Sequence, residues 1–192
     1  MKNILLLINP NARSGSGAYQ YLCASLKAGG HNIIEPAIED QNQDFQKLIC
    51  NNKEKVDLVI IGGGDGSINY VLPALVETKL PLLVYPLGTA NILARSFNLR
   101  ADVGELLSLL EDGVEVEIDL GVVNGIFFIN VCGLGISTEI NRTVSKTLKK
   151  ITGPFSFWLT GLKILKNLKP YKMKLYVDED EPVVTRTWQL TI

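Results

Sequence analysis

The sequence predicts an α/β fold: an N-terminal domain of alternating strands and helices around a mostly parallel sheet, then the beginning of an antiparallel β-rich domain that is incomplete. Three observations carry that expectation. Short apolar runs at 4–8, 31–34, 56–61 and 80–85 alternate with segments of helical spacing, the pattern of strands buried on both faces by crossover helices. The run at 56–61 opens onto Gly62-Gly63-Gly64-Asp65-Gly66, a strand-to-helix elbow. After residue 114 the alternation stops, and Asn124-Gly125, a two-residue hairpin signal, separates two β-type runs.

Composition sets the bounds. The chain has 192 residues, enough for one core, or for one domain (1–118) and the start of a β-rich second one (119–192). Its 46% hydrophobic and 20% charged residues and net charge of −1 describe a soluble globular chain. That charge argues neither for nor against nucleic acid, which is not among the expected partners. No run reaches the roughly 18 apolar residues of a spanning helix. Met1-Lys2-Asn3-Ile4 enters a strand at once without a signal-peptide cleavage site. Cys23, Cys50 and Cys132 are far apart and read as reduced, mostly buried thiols. The expected location is the cytoplasm. His31, the single histidine, reads as structural.

In chain order, Ile4 to Ile8 is a strand, followed by a polar Gly/Ser loop from Asn9 to Gly17. Arg13 in that loop reads equally as a phosphate contact and as a solvated side chain. Ala18 to Ala28 is a helix with Tyr21, Leu22 and Leu26 inward, stopped by Gly29-Gly30. His31 to Ile34 is a short strand, and residues 42 to 52 a polar helix with Phe45, Leu48 and Ile49 inward. After the strand at 56–61, Ser67 is the expected N-cap of a helix to Val76, with Ile68, Val71, Leu72 and Leu75 inward. Pro73 implies a kink there or a short first segment. Leu80 to Tyr85 is a strand running into Pro86-Leu87-Gly88-Thr89-Ala90-Asn91. Asp102 to Glu105 opens a helix in capping-box fashion, which ends at Asp112 before Gly113. Val114 to Val123 and Ile126 to Val131 are expected strands. Residues 142 to 174 hold nine basic and no acidic residues, on what reads as a core-facing helix with a solvated lysine face; the same pattern suits an anionic membrane surface. Tyr171 to Val177 and Val183 to Ile192 form a last hairpin around Asp178 to Pro182.

The elbow carries the chemistry. Glycine lets another molecule approach the backbone, and free N–H groups at a helix start favour an anion. Asp65 among these glycines could hold a cation, and a carboxylate beside phosphate usually implies Mg²⁺. The plainer alternative is a tight turn with a capping Asp. No G-x-x-x-x-G-K-[ST] occurs, and Ser67 breaks G-x-G-x-x-G, so neither stock phosphate motif applies. Strand ends of a parallel sheet collect on one edge, so Thr89 and Asn91 are expected to face Gly63 to Ser67 across a crevice. Asn69, one turn into the helix, is expected to point back to the loop. Asp119, at a strand end, reads as a site carboxylate or as a surface residue.

Three segments resemble the diacylglycerol kinase catalytic-domain family: Asn9-Pro10 with its Ser/Gly loop, Gly63-Gly64-Asp65-Gly66-Ser67-Ile68-Asn69, and Pro86-Leu87-Gly88-Thr89-Ala90-Asn91. The Gly-Gly-Asp-Gly element alone also occurs in NAD kinases and phosphofructokinases. The resemblance implies a three-layer N-terminal α/β domain like theirs followed by an antiparallel β-sandwich domain, incomplete in this chain; it also implies ATP and Mg²⁺ as cofactors, and transfer of a phosphoryl group to the hydroxyl of a diacylglycerol-like or sphingoid lipid in phospholipid metabolism. It implies nucleotide contacts at Asn9, Gly63, Gly64, Asp65, Gly66, Ser67, Ile68, Asn69, Tyr70, Thr89 and Asn91, and an acidic metal-linked network with Asp65 and Asp119. Expected partners are the lipid substrate and an anionic inner-membrane surface touched peripherally; a homodimer is left open.

The chain departs from the family at three points. Ile92 stands where an acid usually follows Gly-Thr-x-Asn, Tyr70 stands where a Glu is common, and family members continue well past residue 192 to a segment holding the catalytic base. No residue of this chain is assigned that base, so weak or absent phosphorylation by the chain alone is expected. The alternatives are an NAD kinase-like enzyme and a non-catalytic nucleotide-binding module.

Overall fold

In chain order the elements are β1 (Asn3–Ile8), α1 (Ala18–Ala28), β2 (Asn32–Ile34), α2 (Phe45–Asn52), β3 (Leu58–Gly63), α3 (Asp65–Thr78), β4 (Leu82–Pro86), α4 (Ile92–Ser96), α5 (Val103–Asp112), β5 (Gly121–Val123), β6 (Ile126–Phe128), β7 (Gly133–Gly135), β8 (Tyr171–Leu175), β9 (Val183–Thr187) and β10 (Gln189–Thr191). The computed structural model describes residues 1–12, 17–34, 44–135, 170–176 and 181–191. Arg13, most of the basic stretch from 142, and Asp178 to Asp180 lie outside the described residues.

The first four strands form a parallel sheet in the order β2-β1-β3-β4. Side chains alternate between the two faces of a strand, and both faces are covered here. Ile4, Leu6, Leu58 and Ile60 pack with Leu22 and Leu26 of α1 and Leu106 and Leu110 of α5. Leu5, Leu7, Val59 and Ile61 pack with Ile49 of α2 and Val71 and Ala74 of α3. One uninterrupted apolar run is thus divided between two cores, which gives the three-layer α/β architecture the family resemblance implies. A third cluster, with Ile68, Leu72, Val84, Leu93 and Ile129, joins α3 and α4 to β4. Asp102 caps α5 as expected, accepting from Glu105 N (2.7 Å), and Asp44 caps α2, accepting from Gln46 N (3.1 Å).

The chain divides into two compact units, Met1–Asn130 and Val131–Ile192. In the first, β5 and β6 pair antiparallel across Asn124 and Gly125, whose φ of 51° and 78° suit the predicted two-residue turn. In the second, β7 pairs with β10 and β8 with β9, all antiparallel.

Several boundaries differ from expectation. Residues 113–120 carry no regular structure, and Val114 is 86% exposed; only Gly121–Val123 of the expected strand pairs. An alternating pattern marks a capacity to pair, and these residues have no strand partner among the described residues. The terminal run breaks at Trp188, so β9 and β10 take different partners. Helix α3 runs on through Pro73 to Thr78; the proline is exposed and has no N–H to offer the Asn69 carbonyl one turn earlier. Tyr21 is exposed, and Cys23 takes its place in the core. Among the described residues, no helix is long and apolar enough to cross a membrane.

Candidate functional site

The C-terminal ends of β1, β3 and β4 lie side by side. Asn9 N donates to Gly62 O at 2.8 Å and Leu87 N to Gly63 O at 2.9 Å, extending the ladder one residue past the strands. Asn9 Nδ2 also donates to Ser67 Oγ at 2.8 Å. The glycine turn is therefore held from both neighbouring strands.

The glycines have different reasons to be there. A Cβ on Gly88 would stand 2.6 Å from Gly64 Cα, and one on Gly63 would stand 2.7 Å from Ser67 Cβ. The two loops touch backbone to backbone, where the sequence suggested a crevice between them. Gly66 is different. It is exposed, its φ is not positive, and a Cβ there would meet nothing within 4 Å. Glycine inside a helix costs about 1 kcal/mol against alanine, and nothing in the described protein requires it at this position. Gly66 lies in the first turn of α3, at the positive end of the helix dipole; Ser67 N and Ile68 N donate to Gly64 O (2.9 and 3.3 Å), which leaves the Asp65 and Gly66 N–H groups without an acceptor among the described residues.

Asp65 opens α3 beside it. Its Oδ1 accepts from Ile92 N (2.6 Å) and Leu93 N (3.3 Å), the first amides of α4. Its Oδ2 has no partner among the described residues. The N-cap of α3 is Gly64, not Ser67 as expected: Gly64 is extended and its carbonyl accepts from Ser67 N and Ile68 N, so Ser67 already lies inside the helix, where its hydroxyl accepts from Asn9.

The remaining expected site residues scatter. Thr89 is exposed at the rim of the Pro86–Asn91 loop, and Asn91 turns its side chain back onto Gly88, accepting from Gly88 N at 2.9 Å. Ile68 is buried in the third core cluster and offers the site only its backbone. Asn69 does not point back to the loop: its Oδ1 accepts from Ile129 N at 3.1 Å. Tyr70 donates its hydroxyl to Asp44 Oδ1 at 2.9 Å; this bond holds the Asp44 carboxyl below its ordinary range and raises the phenol above its own. Asp119 is exposed in the irregular stretch before β5. Among the described residues, no three His, Cys, Asp or Glu side chains converge as a metal cluster. Two partners of the site carried little sequence signal. The Gly64–Gly88 contact was visible only as two glycines, and the amides of α4 belong to a helix too short to show a period.

Residues 3–123 match the family model of the diacylglycerol kinase catalytic domain, and the chain belongs to that family. Over 125 residues it is 37% identical to the diacylglycerol kinase of Bacillus subtilis strain 168, covering 64% of this chain and 41% of that protein. Over 157 residues it is 28% identical to the diacylglycerol kinase of Staphylococcus saprophyticus, covering 81% of this chain and 52% of that protein. Its fold superposes on a crystal structure of a diacylglycerol kinase from Bacillus anthracis strain Sterne with a TM-score of 0.68 at 22% identity, over 98% of this chain and 63% of that one. The matched stretches thus span about half or less of the length of these two curated relatives.

Proposed function

We propose that this chain forms the nucleotide side of an ATP-dependent lipid kinase and grips the ATP phosphates at the start of α3. The acceptor is the hydroxyl of a diacylglycerol-like or sphingoid lipid, and family membership is what favours a lipid acceptor over NAD. The single observation that carries the phosphate reading is Gly66. It is a helix-weakening residue with open space above it, at the positive end of a helix and beside a carboxylate whose Oδ2 has no partner among the described residues. A phosphate needs that space, and the fold does not.

The chain's own residues then act by placement. The Asp65 and Gly66 N–H groups at the start of α3 bind phosphate oxygens, with the Thr89 hydroxyl at the rim of the neighbouring loop. Asn9 and Ser67 hold that turn to the sheet. As the lipid oxygen bonds to the γ-phosphorus, the bond to the β-phosphate breaks and the hydroxyl proton passes to a base not assigned in this chain. The donor set suits Mg²⁺, which binds proteins through one or two carboxylates and takes its other ligands from phosphate and water. Asp65, whose Oδ2 has no partner among the described residues, would supply one carboxylate, and family resemblance adds Asp119. When bound, the ion neutralises charge on the phosphates.

Titration calorimetry with ATP–Mg²⁺ tests the reading. Wild-type protein should bind, and Gly66→Val should bind at least about tenfold more weakly, a loss of about 1.4 kcal/mol, with an unchanged circular dichroism spectrum. No heat from the wild type, or equal affinity in the variant, would remove it. Incubation with ATP and vesicles containing diacylglycerol then tests the acceptor.

A further inference from the structure

We propose that Asp65 is a positioning residue that locks the two loops of the site into one body, and that it does so without a metal. Its importance for ligand binding rests on the nucleotide reading above; the lock itself does not. The start of α4 needs a hydrogen-bond acceptor, and the residue placed to supply one is turned away. Asn91 lies in the left-handed region (φ 48°, ψ 50°) and makes no side-chain cap to α4. Its side chain closes on Gly88 instead, Oδ1 accepting from Gly88 N at 2.9 Å and Nδ2 donating to Gly88 O at 3.1 Å. The carboxylate that takes the open amides comes from another helix. Asp65 Oδ1 receives Ile92 N at 2.6 Å and Leu93 N at 3.3 Å.

The result is a closed ring of contacts. Gly64 meets Gly88 at the near end of the second loop, Asn91 folds that loop on itself, and Asp65 ties its far end to α3. Leu93 and Ala94 are buried beside Ile68, so the core anchors the far end as well. Between the fixed points stand only Thr89 and Ala90, both exposed. Asp65 therefore sets where the Thr89 hydroxyl stands relative to the first turn of α3. The two carboxylate oxygens divide the work: Oδ1 holds the loop, and Oδ2 faces no described partner and is left for the site.

Asn in place of Asp65 keeps an Oδ1 acceptor and loses the charge, whereas Ala loses both. Comparing the two uncharged variants isolates the lock from any effect of charge on phosphate or metal. Amide hydrogen exchange on the full chain, with no nucleotide and with EDTA present, reads the lock directly. The Ile92 and Leu93 amides should exchange about tenfold or more faster in Asp65→Ala, and within about threefold of wild type in Asp65→Asn. ATP titration in EDTA should then show Asp65→Asn binding about tenfold more tightly than Asp65→Ala. Unchanged exchange in Asp65→Ala, or equal exchange in the two variants, would overturn the proposal. Should Asp65→Ala not fold, rapid Ile92 and Leu93 exchange in a folded Asp65→Asn would overturn it, and retained protection would support it. Retained protection with no ATP–Mg²⁺ binding by the wild type would sink the nucleotide reading and leave the lock standing.

Discussion

Asn9 and Ser67, fifty-eight positions apart, share a 2.8 Å hydrogen bond that ties the end of β1 to the first turn of α3. The Asn9 side chain works on both sides, because its Oδ1 also accepts from Asn11 N at 2.9 Å. Asn9→Ala removes both bonds and leaves the half-buried Ser67 hydroxyl without this donor. We expect a stability loss of about 1–2 kcal/mol, and weaker ATP binding because the turn is no longer held. Ser67→Ala should lose about 1 kcal/mol. Urea unfolding followed by circular dichroism gives the first quantity and calorimetry the second. Wild-type values for Asn9→Ala in both would show that this bond holds nothing.

Gly66 and Gly88 should respond oppositely to the same substitution. An alanine methyl at Gly88 would lie 2.6 Å from Gly64 Cα, a backbone atom that cannot rotate away, so the two loops must separate. A loss of about 2–3 kcal/mol is expected, in the range of overpacking. At Gly66 a methyl meets nothing, and helix propensity favours alanine by up to about 1 kcal/mol. Gly66→Ala should therefore unfold at higher urea while binding ATP more weakly. A variant that is both more stable and equally good at binding ATP would mean that the open space above Gly66 serves some other purpose.

The pattern of success in reading the sequence has a physical cause. The strands were legible because Ile4 to Leu7 and Leu58 to Ile61 are buried on both faces, and burial on both faces leaves an unbroken apolar run. The glycine turn was legible because its chemistry is local. What failed depended on distant partners. Ser67 has a better N-cap side chain than Gly64, but it already lies inside the helix, where its hydroxyl accepts from Asn9 at the end of another strand. Asn69 was expected to turn toward the loop, and is taken by the amide of Ile129, sixty residues on. The role of Asp65 as the acceptor for α4 could not be read from spacing, since a five-residue helix has no period to detect.

His31 should give the protein an acid-sensitive component of stability. It is 8% exposed, and both ring nitrogens lack a partner among the described residues. Burial lowers its pKa first; the chain amino terminus and Lys2 lower it further, and Glu111 of α5 opposes them. The folded state thus favours neutral imidazole. Below the ordinary value near 6.5 the unfolded chain takes up a proton that the folded chain resists, so stability falls as pH drops from there toward the lower folded pKa. Above that window the group contributes no slope. Urea unfolding at pH 7.5 and 5.5 should show a smaller acid loss in His31→Gln than in wild type. Equal losses would place the acid sensitivity elsewhere.

Ile92 offers a test of the proposed Mg²⁺ contact at Asp65. Its amide lies 2.6 Å from Asp65 Oδ1, its side chain is 47% exposed, and family members usually carry an acid there. Ile92→Asp would bring a second carboxylate close to Asp65 while emptying little core. An acid in the first turn of a helix is also favourable by about 0.3–1 kcal/mol. With this carboxylate added beside Asp65, Mg²⁺ should improve ATP affinity by about tenfold more in Ile92→Asp than in wild type. Without Mg²⁺, the added negative charge should weaken ATP binding, because it then faces the phosphates unscreened. Calorimetry with and without Mg²⁺ on both proteins gives the two ratios, and identical ratios would detach residue 92 from metal binding altogether.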